Sequence, residues 1–430
     1  MNQGYNVILI GIDTLRADHL GIYGYERNTS PTIDQFAKES VVFGNCFSQA
    51  PLTSPSFMSM MTSLYPTYHG VTSVIGGVGR NGRVYTLDKK IPTLAEILKY
   101  HGYSTGAFTD GGNLYDKLGF GKGFDFYSMN LRVRGDKVAL IQEKDVFYWI
   151  KENLNNKFFL FFHTYAVHEP WMMPQSYLNL FSRGYTGKVA INKDFYKTLR
   201  AEKIFPRQYL FKIANTLDPD DLKYLKAIYD GSIRYVDDFM KNLLSLLAEL
   251  KLTDRTIIVF TSDHGEEFME HGMLSHKQFY NELLRVPLIM RSPALPSSLA
   301  VSQLVRNIDI FPTILNQLGI NIAAPIHGTS LIGAPTNDLN LQTIAETEGG
   351  GFSIQTKKYK YIYPRYKDYK IREDELYDLD NDPEEKNNIA LQNLDLVGDM
   401  LAAYNDELHH RISLKHPKRG VAYSPHKRTE

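Results

Sequence analysis

Near its start the chain runs Tyr5-Asn6-Val7-Ile8-Leu9-Ile10-Gly11-Ile12-Asp13, an almost unbroken apolar stretch that closes on an acid. Phe158–His163 (FFLFFH) and Thr256–Thr261 (TIIVFT) have the same texture. Short runs without polar alternation predict strands buried on both faces, as in a parallel sheet covered by helices. Helical spacing falls between them. Ser54–Ser63 reads as a helix start, Ile91–His101 (IPTLAEILKYH) as a helix ending at Gly102, and Asp220–Leu250 as one long amphipathic helix. The alternation predicts an α/β domain whose large, mostly parallel sheet is sandwiched by helices. In such sheets the working residues gather at the carboxyl ends of the strands, where Asp13, His163 and Asp263 fall.

From about Pro325 the pattern changes. Lys357–Tyr363 (KKYKYIY) alternates polar and aromatic positions, which suits an antiparallel strand with one wet face. Glu375-Leu376-Tyr377-Asp378-Leu379 and a turn-rich Asn381-Asp382-Pro383 follow. The boundary expected from this is a main domain over 1–334 and a small-sheet subdomain over 335–430, ending in a basic tail from Lys415.

Composition narrows the function. Lys and Arg total 48 and so do Asp and Glu, which argues against a nucleic-acid binder. A single cysteine, Cys46, excludes an intramolecular disulfide framework and a cysteine-based zinc site. With 43% hydrophobic residues the chain can bury a large core. No apolar run approaches the roughly 20 residues that span a bilayer. The opening strand lacks the pattern of a secretory leader, so the expectation is a cytoplasmic protein; a homo-oligomer stays open.

Three segments could carry chemistry. In Gly11-Ile12-Asp13-Thr14, an acid ends a buried strand; it is either a helix cap or half of a pair, and a metal ion is the simplest partner. In Pro51-Leu52-Thr53-Ser54-Pro55-Ser56, Pro55 preceded by a serine predicts a helix start with Pro55 in first position. Thr53 then sits at the mouth of a helix N-terminus, as a plain cap or as a hydroxyl poised beside a bound anion. In Ser262-Asp263-His264-Gly265-Glu266, adjacent Asp and His at a strand end offer oxygen and nitrogen to one ion, with His271 and His276 downstream.

Taken in order, these segments resemble the sulfatase family within the alkaline phosphatase superfamily. Asp13-Thr14-Leu15-Arg16-Ala17-Asp18 with Tyr23-Gly24-Tyr25 matches its opening, and Thr53-Ser54-Pro55-Ser56 through Thr62, Tyr65-Pro66 and His69-Gly70-Val71 its nucleophile segment. His163 through His168-Glu169-Pro170-Trp171 matches the central histidine stretch. Arg285-Val286-Pro287-Leu288-Ile289, Asp309-Ile310-Phe311-Pro312-Thr313 and Glu375–Leu379 match the later segments. The resemblance implies an alkaline phosphatase-like α/β domain with a small C-terminal antiparallel sheet. It implies a divalent metal held by Asp13, Asp263, His264 and the nucleophile Thr53. It makes His168 a catalytic group that contacts the transferred group or protonates the leaving group, and it places His276, with Lys277 beside it, among the substrate-binding residues, His276 also catalytic.

The departures point to a branch. Typical sulfatases oxidise a Cys or Ser to formylglycine; Thr53 cannot become an aldehyde by that route, so no formylglycine is expected. Phe57 replaces the signature's arginine, Thr14 a second acid, and His264 an asparagine. The family's Lys-x-His is absent around Phe108-Thr109-Asp110-Gly111. An unmodified threonine with an Asp-His pair resembles phosphodiesterases, phosphonate monoester hydrolases and phospho-group transferases. No Asp-x-x-x-His occurs, so one ion is expected, with Mn²⁺, Zn²⁺ and Ca²⁺ all compatible. The expected function is a metal-dependent hydrolase of phosphate or phosphonate esters through Thr53. A sulfuric ester hydrolase, a transferase to a sugar or lipid, and an inactive binding module are the alternatives. The substrate would be an anionic small molecule or sugar ester, and the aromatic and basic stretch between Met172 and Asp220 reads as a solvated insertion or a substrate lid.

Overall fold

The computed structural model describes residues 4–72, 85–130, 141–171, 173–189, 191, 206–332, 342–364 and 373–414. The basic tail from Lys415 and much of the stretch between Met172 and Asp220 lie outside the described residues. The strands are β1 (Asn6–Ile12), β2 (Val41–Phe47), β3 (Ser104–Thr109), β4 (Phe126–Met129), β5 (Phe158–Thr164), β6 (Thr256–Ser262), β7 (Glu267–Phe268), β8 (Leu274–Ser275), β9 (Arg285–Arg291), β10 (Leu299–Arg306), β11 (Gln342–Glu346), β12 (Phe352–Thr356), β13 (Tyr359–Tyr363) and β14 (Glu375–Asp378). Eight of them form the central sheet in the order β10-β2-β9-β6-β1-β5-β3-β4. Only β9 runs against the others, pairing antiparallel with β2 and β6. The sheet is therefore mixed and mostly parallel.

The apolar runs serve both faces of this sheet. Ile8, Ile10 and Ile12 of β1 join Leu160, Phe162, Ile258 and Phe260 in one core cluster, with the long helix Pro219–Glu249 packed over it. Val7 and Leu9 join Phe159, Phe161, Ile257 and Val259 in the other, under the helices Thr53–Thr62, Leu94–Tyr100 and Ile310–Gln317. Alternate side chains of one strand point to opposite faces, so a strand buried twice must be apolar throughout. The long helix starts at Pro219 because Asp218 caps it: its carboxylate accepts from Asp221 N while the Asp221 carboxylate accepts from Asp218 N.

Two local readings need correction. The helix at the proposed nucleophile runs Thr53–Thr62, so Pro55 is its third residue and not its first. The first four N–H groups of a helix have no internal acceptor, so a proline anywhere in that turn forfeits no bond. Likewise β13 starts at Tyr359, because Lys357 and Lys358 make the turn out of β12, where Thr356 Oγ1 accepts from Lys358 N and Tyr359 N.

Gly11 lets the helix Thr53–Thr62 lie on β1. A Cβ there would come within 2.3 Å of the Phe57 ring. Phe57, fully buried, stands edge-on to His163 with ring centroids 5.1 Å apart. An aromatic side chain therefore fills the place of the missing signature arginine.

The far end of the same segment carries a buried neutral histidine. His69 Nδ1 accepts from Val71 N at 3.1 Å, so its proton sits on Nε2, facing Pro55 O at 3.2 Å and Ser59 Oγ at 3.1 Å. Burial pushes its pKa down to about 3, with only the Pro55 carbonyl opposing. The unfolded chain binds this proton below its ordinary pKa of about 6.5, and the native chain does so only near 3. Stability from this group is complete above the first value and is lost as the pH falls between the two, by roughly 5 kcal/mol in all. Urea midpoints measured across that window should fall with acid in the wild type and flatten in His69→Gln; an equal slope in both would remove His69 as the cause.

β11 to β14 form the small antiparallel sheet. It is fastened to the short helix Asn281–Leu284 by buried polar groups. Lys360 Nζ lies 2.7 Å from Glu385 Oε1 and 3.0 Å from Asn281 Oδ1, and Asn281 N donates to Glu385 Oε2 at 2.7 Å. The helix Leu394–Ser413 adds Arg411, which pairs with Glu346 at 2.6 Å and lies 3.3 Å above the Tyr65 ring.

Candidate active site

β1 pairs with β6 so that Ile12 stands opposite Ser262. The next residues, Asp13 and Asp263, therefore leave the sheet side by side. The loops behind them are stitched together: Thr14 N donates to Asp263 Oδ1 at 3.1 Å and Leu15 N to Ser262 Oγ at 3.0 Å. Thr14 adopts φ 58°, a left-handed conformation that costs a β-branched residue about 1–3 kcal/mol. The strain is retained where it turns the chain sharply behind Asp13. Gly265 then passes so near the helix Asn281–Leu284 that a Cβ would overlap Glu282 O.

Asp13, Asp263 and His264 are all fully buried, and one ligand atom from each lies within 4.8 Å of the others. The charges are poorly compensated by protein alone. Burial disfavours the Asp13 carboxylate, but His163, with His168 and His264, outweighs burial and holds its pKa below the usual range. Burial and the Asp13 charge together push Asp263 well above it. Asp13 Oδ1 and Asp263 Oδ2 receive no hydrogen bond from any described residue. His264 Nδ1 donates to Gly265 O at 2.9 Å, which turns its Nε2 lone pair toward Asp263 Oδ2 at 3.3 Å. Two bare carboxylate oxygens and an imidazole lone pair converging in a dry site fit a divalent cation.

His163, from the end of β5, orients this set. Its Nδ1 accepts from Asp110 N at 3.5 Å, so Nε2 carries the proton and donates to Asp13 Oδ2 at 3.2 Å. Asp110 in turn holds the β5 exit, accepting from Thr164 Oγ1 at 2.7 Å and Tyr165 N at 2.8 Å. Tyr165 OH accepts from Asn113 N at 3.1 Å and meets the Thr53 side chain. Its ring lies edge-on between His163 and His168, at 4.7 and 5.2 Å. Thr53, 2% exposed, is the first residue of its helix, with extended backbone at Leu52 before it.

His168 lines the opposite side. Its Nε2 is 3.9 Å from Asp13 Oδ1 and its Nδ1 3.0 Å from Glu169 Oε2. Burial opposes its charge, but Glu169, Asp13 and Glu266 outweigh burial and raise its pKa to about 10. The His276 ring lies 5.0 Å from His168 and 4.4 Å from His264, with Nδ1 3.3 Å from Glu266 Oε1. Lys277 follows, half-buried. The sequence-derived residues Asp13, Thr53, His168, Asp263, His264 and His276 thus converge. The sequence pattern marks His163 as a strand-end residue without assigning its partner, and it gives Asp110, Tyr165, Glu169 and Glu266 no role, although both glutamates lie in segments that carry candidate ligands.

The chain matches the family model described as sulfatase over residues 5–320, and that of the C-terminal part of N-sulphoglucosamine sulphohydrolase over residues 269–411. Arylsulfatase K of Rattus norvegicus is 24% identical, covering 91% of this chain and 75% of its own. An N-acetylglucosamine-6-O-sulfatase of Bacteroides thetaiotaomicron is 24% identical over 89% of this chain and 82% of its own. Among solved structures, one determined in complex with D-glucosamine-2-N,6-O-disulfate superposes with TM-score 0.77 at 20% identity, covering 96% of this chain and 99% of that one. A phosphonate monoester hydrolase of Agrobacterium radiobacter superposes with TM-score 0.71 at 21% identity, covering 95% of each. These likenesses show a common fold. No described helix is long and apolar enough to cross a membrane.

Proposed function

The chain belongs to the sulfatase family, and on that premise we propose that it is a metal-dependent hydrolase of anionic esters in which Thr53 is the nucleophile. The observation that carries this reading is the convergence of Asp13, Asp263 and His264, with two buried oxygens left bare, beside Thr53 and His168. The chemistry is assigned to residues 1–334.

A divalent cation held by Asp13, Asp263 and His264 would supply Lewis-acid polarisation of the ester oxygens and favour the ionised Thr53 hydroxyl. The remaining work belongs to side chains. Thr53 Oγ forms a bond to the central sulfur or phosphorus as the bond to the leaving oxygen breaks. The N–H groups of the first helical turn face the non-bridging oxygens. His168 delivers its proton to the leaving oxygen, and His276 with Lys277 holds the anionic group. Water then cleaves the Thr53 ester: its oxygen leaves with the released anion, one of its protons restores the hydroxyl and the other returns to His168.

The named relatives favour a sulfate ester as substrate. A second reading, a phosphate or phosphonate ester, is favoured by Thr53 itself. A threonine ester must be released by hydrolysis or by transfer to an acceptor hydroxyl, which phosphoryl chemistry allows readily. The test is a panel of 4-nitrophenyl sulfate, 4-nitrophenyl phosphate, bis(4-nitrophenyl) phosphate and 4-nitrophenyl phenylphosphonate, each with Mn²⁺, Zn²⁺ or Ca²⁺. Cation-dependent release of nitrophenol is expected, and the ranking of kcat/KM selects between sulfur and phosphorus. No turnover with any ester and any cation would overturn the hydrolase reading and leave the transferase and the inactive binding module.

A further inference from the structure

His276 is carried on a very short hairpin. β7 and β8 have two residues each, with Glu267 opposite Ser275 and Phe268 opposite Leu274. This register brings Glu266 and His276 side by side at the open end, where Glu266 Oε1 and His276 Nδ1 lie 3.3 Å apart. Two paired positions are too few to fix a register on their own. The hairpin is also strained. Met269 and Ser275 take φ values of 69° and 86°, a left-handed conformation that residues other than glycine keep only where their surroundings impose it.

Glu267 supplies the constraint. The residue is 1% exposed, and its side-chain hydrogen bonds among the described residues all stay within this segment. Oε1 accepts from His271 N at 2.8 Å and from Met273 N at 3.2 Å, and Oε2 accepts from Gln278 Nε2 at 3.1 Å. One carboxylate therefore ties the turn that precedes His276 to a side chain two residues beyond it. Burial pushes its pKa up to about 8, with the His271 and Met273 N–H groups opposing the rise and Glu282 and Glu270 adding to it. An apolar residue would fill the same space without that cost, so the bonds themselves are what this position supplies. We propose that Glu267 is a positioning residue for substrate binding: by bracketing His276 between Met273 and Gln278, it sets the imidazole against the His168 and His264 rings, at centroid distances of 5.0 and 4.4 Å. This inference rests on the proposed role of His276 in holding the anionic group.

The test needs no turnover. Inorganic sulfate and inorganic phosphate are titrated calorimetrically into the full chain loaded with Mn²⁺ and freed of excess metal, and the tighter of the two is kept as the probe. Glu267→Met removes all three acceptor bonds and should weaken anion binding about tenfold. Gln278→Met removes one of the three bonds and should weaken it by less. Glu267→Gln keeps an oxygen for the two backbone donors, and its amide can donate to a turned Gln278 amide, so it should recover most of the affinity. In a His276→Ala background Glu267→Met should change the Kd by less than about twofold, because the group it positions is gone. Unfolding curves and Mn²⁺ content show that the variants fold and load. A wild type that binds neither anion, no loss of affinity in either methionine variant, or an equal loss from Glu267→Met with and without His276 would overturn the proposal. A wild type that binds the anion but hydrolyses no ester would end the hydrolase reading and leave this test intact.

Discussion

Thr53→Ala should lower kcat by about a thousandfold or more, while the unfolding free energy stays within about 1 kcal/mol of wild type. The residue begins a helix, where alanine is a good helix former, and its backbone N–H groups are untouched. Tyr165 keeps the bond from Asn113 N when the threonine is gone. The alanine removes the hydroxyl proposed to attack, together with the γ-methyl. Thr53→Ser restores a hydroxyl at the same place and should recover much of the rate. Steady-state kinetics with the best ester of the panel decides. If the alanine variant turns over like wild type, Thr53 leaves the mechanism, and water would have to attack directly.

Asp263→Asn should produce the second large effect, and with opposite signs in two assays. Asp263 Oδ1 accepts from Thr14 N and His264 N, bonds an asparagine oxygen can keep. Oδ2 lacks a hydrogen bond and shares a dry space with the Asp13 charge. Replacing a carboxyl whose ionisation is disfavoured by burial and by Asp13 should make the metal-free variant more stable than metal-free wild type, by about 1–3 kcal/mol. The same change removes a cation ligand. Added Mn²⁺, Zn²⁺ or Ca²⁺ should therefore raise the unfolding midpoint of the wild type and leave that of the variant in place, with activity down about a hundredfold or more. Thermal unfolding with and without chelator reads both. An asparagine variant that is destabilised without cation, yet still stabilised by it, would mean that Asp263 is structural and the ion sits elsewhere.

Much of this was legible in the chain because the signals were local. An apolar run closing on Asp13 or His163 marks both a strand and its working end, since a strand covered on both faces has no polar side to confuse the pattern. Asp263 and His264 were readable for the same reason. What the sequence does not display is who holds whom. That His163 fixes Asp13 through a proton on Nε2 depends on Asp110 N reaching Nδ1, a contact across 53 residues set by the pairing of β3 with β5. The helix start at Thr53 was displaced by Pro55, a start signal that tolerates any place in the first turn. Tyr165 gave no signal at all, because an aromatic after a strand is usually core.

The Arg411–Glu346 pair over Tyr65 bears on how the protein is made. Tyr65 lies just past the helix Thr53–Thr62, after Ser63 and Leu64, yet the guanidinium that covers it comes from the helix Leu394–Ser413. On the ribosome, the segment bearing Thr53 emerges early and waits for its cover until Arg411 has left the exit tunnel. The half-made polypeptide thus lacks the cation that Glu346 Oε1 and the Tyr65 ring receive in the folded protein, a state that chaperones can hold and proteases can sample.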